Sequence, residues 1–160
     1  MRVRYVIVGA LVGVLCTLGA TTVFGAKRPT FPGALFAVGT GKKEVSLVTG
    51  KKGAGDKDAR LGFTAVIDGS QFCWAVVVKN VDGVPAGLHI HKGGPNQNGP
   101  IVIPLDPPQN VDPGAKSGCE AIASTLATDM RKHPARYYVN IHSTTFGGGA
   151  ARGQLFWKTK

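Results

Sequence analysis

Residues 60–79 have the sequence RLGFTAVIDGSQFCWAVVVK, in which two mainly apolar runs flank Asp68-Gly69. An Asp-Gly pair between two such runs is typical of a tight turn between antiparallel strands. In the second run both alternating sets of side chains are apolar, which indicates a strand in the centre of the core. This stretch therefore predicts a β-hairpin around which the domain is built.

Short apolar runs separated by turn residues continue on both sides of this hairpin. The pattern is typical of an all-β fold, an antiparallel β-sandwich or barrel. The predicted strands span residues 34–38, 44–48, 60–67, 71–79, 86–91, 100–105, 137–142 and 152–158.

One short helix is predicted at residues 124–132. Ile122, Leu126 and Met130 recur there at four-residue spacing, which places them on one helical face. Ser124 is the expected N-cap, and the helix should end before Pro134 because proline disfavours helical conformation in the residue that precedes it.

The first 26 residues differ from the rest of the chain. Arg2 and Arg4 precede an apolar run over residues 5–24, and small residues follow it. This order is typical of a secretory signal peptide, with cleavage expected after Gly25. About 20 apolar residues also suffice to span a bilayer, so an uncleaved N-terminal anchor is the alternative. In both cases the domain would lie outside the cytoplasm, secreted or in the cell envelope.

The predicted organisation has three parts. Residues 1–26 form the leader, residues 27–34 a proline-containing linker, and residues 35–158 a single β domain. Loss of the leader would leave two cysteines, Cys73 and Cys119. In an oxidising compartment two thiols most simply form one disulfide.

The composition limits the classes of partner. The 160 residues carry a net charge of +10, and several lysines cluster in the glycine-rich residues 42–60. This basic loop would contact an anionic surface or remain a solvated loop, and the second interpretation is the simpler one. No aromatic residues alternate with these lysines, so nucleic-acid binding is not expected.

The histidines follow the period of the strands. In residues 86–91 (AGLHIH) and 137–142 (YYVNIH), aliphatic residues alternate with polar ones. Because alternate side chains of a strand share a face, the aliphatic sets should face the core. His89, His91 and His142 would then lie on the opposite faces. They converge on one external patch if the two strands are neighbours, which the sequence does not establish.

Several segments together resemble the CHRD domain, the module named after chordin. The matching segments are AGLHIHKG at residues 86–93, NGPIV at 98–102, YYVNIH at 137–142, GAARGQL at 149–155, Glu44-Val45, and Phe72-Cys73-Trp74 with Cys119. The resemblance implies an immunoglobulin-like β-barrel or sandwich, as in secreted bacterial proteins and chordin. It implies no settled activity, and Gly147-Gly148-Gly149 departs from the Pro-Gly that the family often has there.

A three-histidine patch has the chemistry of a metal site. Neutral imidazole binds zinc and copper, and an i, i+2 pair on a strand places two rings on one side. With the thiols paired, nitrogen ligands favour copper(II) or zinc(II) over copper(I). Glu44 or Tyr138 would complete the coordination sphere. The residues expected beside the ligands are Glu44, Tyr138, Asn140, Arg152 and Gln154.

Two functional classes remain open. One is a metal-binding domain, and the other is an extracellular or cell-envelope interaction module in which the histidines are structural. In the second class, Arg152 and Gln154 belong to a solvated outer face. Enzymatic catalysis is less expected, because no nucleophile, base and orienting group occur in a recognisable arrangement. The sequence does not identify the protein or envelope component that such a module would contact.

Overall fold

A computed structural model describes residues 33–157, and within them the fold is mostly antiparallel β-structure with a single α-helix, which confirms the predicted class. The strands are β1 (Leu35–Thr40), β2 (Arg60–Asp68), β3 (Gln71–Lys79), β4 (Pro85–Lys92), β5 (Ile101–Leu105), β6 (Gly114–Ala121), β7 (Tyr137–Ser143), β8 (Ala151–Gln154) and β9 (Phe156–Trp157). The helix is α1 (Ser124–Lys132), and 3₁₀ turns occupy Gly41–Lys43 and Pro134–Arg136.

The strands form one curved sheet in the order β5-β4-β7-β8-β1-β2-β3-β6, and β9 pairs with β1. Its two edges, β5 and β6, approach each other, so the sheet is a nearly closed barrel. Alternate residues of the strands point inward and are buried, which places the core inside the barrel and leaves the outer faces for other roles.

The predicted hairpin forms between β2 and β3. Asp68 pairs with Gln71 across the turn, and Gly69 has the positive φ of 55° that a tight hairpin turn requires. Cys73 pairs in register with Cys119 of β6, and the expected disulfide joins them. The central position predicted for β3 is wrong on one side, because no second layer of described residues covers its outer face and Val77 is 55% exposed.

Two stretches differ from the predicted strands. Residues 44–48 form no strand, because Ser46 caps a tight turn by accepting hydrogen bonds from the amides of Val48 and Thr49. Only Val45 forms an isolated bridge, to Lys52. Strand β6 was not predicted, because its sequence GAKSGCEA contains no apolar run and it is held by pairing with β3.

The C-terminal strand and the helix required smaller corrections. The predicted strand 152–158 is divided into β8 and β9 at Leu155, whose amide donates to the Tyr137 carbonyl. The helix has the predicted bounds, but Ser124 is its first residue. Ala123 occupies the N-cap position and offers no side-chain hydrogen bond.

The predicted leader, residues 1–26, lies outside the described residues, as does most of the linker. Among residues 33–157, no helix combines the length and the apolar character needed to cross a bilayer.

Candidate metal centre

Strands β4 and β7 are neighbours in the sheet. Leu88 pairs with Ile141, and His89 pairs with Asn140. Leu88 and Ile90 of β4 and Val139 and Ile141 of β7 are fully buried in the core, so the polar side chains between them lie together on the outer face of the barrel. Ala86, expected on the core face, is exposed, because the register shifts between Pro85 and Gly87. The strand pairing that the sequence left open thus brings the histidines of the two strands together.

Three histidine rings converge on this face. His89 lies between the other two, with its ring centroid 5.0 Å from that of His142 and 5.6 Å from that of His91. One ring nitrogen from each residue lies within 4.8 Å of the other two. Two nitrogens that share an ion are about 4.2 Å apart at most, because each bond is about 2.0–2.1 Å long. Small inward rotations of the rings would therefore complete a common site.

Backbone carbonyls fix the orientation of two rings. Nδ1 of His91 lies 2.9 Å from the Gly99 carbonyl oxygen, and Nδ1 of His142 lies 3.0 Å from that of Gly147. A carbonyl oxygen only accepts, so Nδ1 carries the hydrogen in both rings and Nε2 presents its lone pair. Metal-binding histidines are held in this way in known sites.

Three of the four remaining ring nitrogens are buried without a partner. Among the described residues, His89 Nδ1, His91 Nε2 and His142 Nε2 have no hydrogen-bond acceptor or donor within reach. A buried polar atom without a partner costs about 1–3 kcal/mol, so three together in one place form a donor set that a metal ion could satisfy.

The surroundings of His89 and His91 disfavour protonation of their rings. Burial, followed by the nearby His142 and His91, lowers the pKa of His89 to about 4. Burial also lowers the pKa of His91, against the opposing effect of its hydrogen bond to Gly99. Both rings therefore stay neutral near pH 7, which is the form that binds metal ions.

Tyr138 packs on the His91 ring, and Arg152 packs on the Tyr138 ring. The Tyr138 ring stacks on that of His91 at a centroid distance of 4.8 Å, with 5° between the planes. The Arg152 guanidinium lies 3.4 Å from the centroid of Tyr138. The Tyr138 hydroxyl accepts a hydrogen bond from the Gly99 amide, so it braces the same residue that orients His91.

Arg152 and Gln154 of β8 anchor the loop over residues 93–99. Arg152 is only 2% exposed, and its guanidinium donates to the carbonyls of Gly94 and Gln97. Gln154 donates through Nε2 to the carbonyl of Gly93. The interpretation as part of a solvated outer face is therefore wrong for Arg152, because the loop covers it, whereas Gln154 is only half-buried.

Glu44 and Asn140 form a second buried polar pair next to the cluster. The Glu44 carboxylate accepts a hydrogen bond from the Val45 amide through Oε1, while its Oε2 and the Asn140 Oδ1 have no partner among the described residues. Burial raises the pKa of Glu44 to about 7, although Val45, Arg152 and Asn140 act in the opposite direction. Neither Glu44 nor the bonded hydroxyl of Tyr138 belongs to the three-nitrogen cluster.

The cluster is less external than the sequence predicted. His91 is 8% exposed, and His89 and His142 are half-buried. Loop residues cover the face, and sequence analysis did not identify the contributions of Gly99 and Gly147. Both glycines lie in glycine-rich segments that follow the histidine strands, which was the one hint in the sequence. The contact itself is made by a backbone carbonyl, so no side-chain pattern predicts it. His133, directly after α1, lies outside the cluster.

Comparison with known families gives one match. Residues 35–155 match the family model described as the CHRD domain, which covers most of the 160-residue chain. Searches of curated proteins and of solved structures each returned no significant match.

Proposed function

The chain belongs to the CHRD-domain family, and from this membership together with the outer-face histidines we propose that it binds one copper or zinc ion through His89, His91 and His142. The observation that carries the proposal is the convergence of three buried imidazole nitrogens without partners. We propose a non-enzymatic role, in which the ion is held for metal handling or to stabilise the fold.

The donor set argues for the kind of metal. Three neutral imidazoles suit copper(II) and zinc(II), whereas calcium and magnesium prefer oxygen ligands. The two cysteines within residues 33–157 are joined in the disulfide, so these residues offer no thiolate to favour copper(I). Copper(II) binds more tightly than zinc(II) to a given nitrogen site, so we expect copper to displace zinc.

We further propose that the domain acts outside the cytoplasm. The Cys73–Cys119 disulfide supports this location, because such bonds persist in oxidising compartments. The basic and then apolar N-terminal sequence supports it independently. A metal site in this setting would take its ion from the surrounding medium.

Elemental analysis tests the metal proposal. The protein is purified without a polyhistidine tag, exposed to copper and zinc in turn, and desalted. We expect about one ion per chain to be retained, because the three nitrogens form one site. The double variant His89→Ala, His142→Ala should lose this ion while keeping its circular dichroism spectrum.

The variant His133→Ala is the matched control, because it removes a histidine outside the cluster and should retain the ion. Wild-type protein that retains no metal would contradict the proposal. The remaining working model would then be the interaction module, in which the histidines are structural.

A further inference from the structure

A groove of about 530 Å³ lies on the outer face of β1, β2 and β3, away from the histidine cluster. Among residues 33–157 its lining is mainly apolar, with Thr64 as the one hydroxyl-bearing side chain and with no charged residue. Val38, Val77 and Phe156 are exposed there by 58%, 55% and 45%. The volume falls within the range of about 300–1,000 Å³ that is typical of small-molecule sites.

Gly62 gives the groove its depth. A Cβ atom at this position would meet nothing within 4 Å, so the missing side chain leaves open space in the middle of β2. The Phe36 and Phe156 rings, whose centroids are 6.2 Å apart, lie beside it. A concave floor between aromatic rings fits a flexible chain better than a flat surface.

A smaller basic cleft of about 270 Å³ continues from one side of this groove. Val38 and Phe156 line both spaces, so the two are contiguous. Lys43 and Lys52 line the cleft, and the Lys43 ammonium is held in place by donating to the Val38 carbonyl oxygen at 2.7 Å.

The two lysine charges are uncompensated. Within residues 33–157, the ion pairs are those of Asp129 with Lys92 and Arg136, on another part of the molecule. An anionic group in the cleft would therefore gain two charge-assisted contacts without displacing a carboxylate. The two lysines thus place positive charge at one end of the apolar groove.

We propose that this composite surface binds a single-chain fatty acid anion, with the carboxylate at Lys43 and Lys52 and the alkyl chain in the groove over Gly62. Burial of methylene groups against the aromatic and valine side chains supplies the main favourable free energy. The lysines supply selectivity for the anion over a neutral chain. Arg152 and Gln154 line the cleft as well as hold the loop over residues 93–99, but none of the three histidines lines the groove or the cleft.

Calorimetric titration with laurate, below its micelle concentration, tests the proposal. We expect saturable binding that Gly62→Leu weakens about tenfold or more, a factor of ten being 1.4 kcal/mol, because the new side chain fills the groove. The double variant Lys43→Gln, Lys52→Gln should weaken laurate binding but leave dodecanol binding unchanged. The double variant Lys51→Gln, Lys57→Gln removes the same charge outside the cleft and should bind laurate as the wild type does.

Three results would overturn the proposal. They are no laurate binding by the wild type, laurate binding that Gly62→Leu leaves unchanged, and equal losses in both lysine double variants. Sedimentation with phosphatidylglycerol vesicles separates a free fatty acid from a membrane. Groove-dependent attachment to vesicles without laurate binding would identify the face as a membrane-docking surface instead.

Discussion

Arg152 is the residue on which the geometry of the histidine cluster most depends without being a ligand itself. Its guanidinium joins the loop over residues 93–99 to β8 and stacks on Tyr138. That loop includes Gly99, whose carbonyl orients His91. A lysine has one terminal nitrogen and no planar fork, so it cannot reproduce these contacts.

We therefore expect Arg152→Lys to weaken copper binding by about 10- to 100-fold, as loss of groups that orient metal ligands does elsewhere. The electron paramagnetic resonance spectrum of bound copper(II) should also change, because His91 would lose its fixed orientation. Chelator competition measures the affinity. Arg136→Lys, in an exposed arginine, is the control and should change neither quantity. Unchanged affinity and spectrum in Arg152→Lys would limit Arg152 to a structural role.

Because the pKa of Glu44 is raised, we expect this residue to make the stability of the fold depend on pH. Its pKa is about 7 in the folded protein and 4.5 as the reference value, so the folded state binds more protons between these limits. Stability from this group is therefore present below pH 4.5 and is lost as the pH rises through 7.

The variant Glu44→Gln removes this loss. Relative to the wild type it should be stabilised by up to about 3 kcal/mol above pH 7, and the difference should vanish near pH 4.5. Urea unfolding of both proteins across this pH range measures the difference, with Asp58→Asn as an exposed control. A difference that is independent of pH would show that the Glu44 carboxyl does not titrate as described.

At the scale of elements, β4 and β7 act as a pair that presents the rings. Gly87 of β4 pairs with His142, and a Cβ atom there would come within 2.8 Å of Cε1 in the His89 ring. The missing side chain thus provides the space in which His89 lies. Leu88 and Ile141, the next pair along the two strands, are buried in the core and hold β4 and β7 in register.

We expect Gly87→Val to displace the His89 ring and to weaken metal binding while leaving the thermal unfolding transition close to that of the wild type. Gly62→Val also adds a side chain to a strand glycine, but in open space, and should leave metal binding unchanged. Metal titration of both variants tests this expectation. Equal metal affinities in the two variants would contradict the assigned role of Gly87.

Strand alternation explains why part of the site was predictable. The period of two in residues 86–91 and 137–142 assigned the histidines to one face, since a change of register would have buried them among Leu88 and Ile141. The disulfide followed from the cysteine count. Strand β6 was not predicted, because its residues gain their structure from pairing with β3 and have little apolar pattern of their own.

The supports of the site were harder to predict because they act over long distances in the chain. Arg152 contacts Gly94 across 58 positions, and Gln154 contacts Gly93 across 61. Each contact joins a side chain to a carbonyl group, which every residue possesses, so the sequence holds no complementary signal. The burial of Arg152 was missed for this reason.

Over the whole molecule, the described residues separate two outer faces of one barrel. The histidine cluster lies on β4 and β7, and the apolar groove lies on β1, β2 and β3. Strands β8 and β1, which are neighbours in the sheet, connect the two halves. Substitution of a histidine should therefore leave the groove unchanged, and substitution of Gly62 should leave metal binding unchanged. Arg152 is the exception, because it lines the basic cleft and also holds the loop beside His91.

The most direct test of the metal centre is a crystal structure of the copper-loaded protein, with anomalous diffraction recorded at the copper edge. We predict one strong peak among the three rings, bonded to nitrogens of His89, His91 and His142 at about 2.0–2.1 Å, the distance typical of imidazole ligands in zinc sites. An anomalous peak that lies elsewhere, or no peak in crystals saturated with copper, would contradict the account.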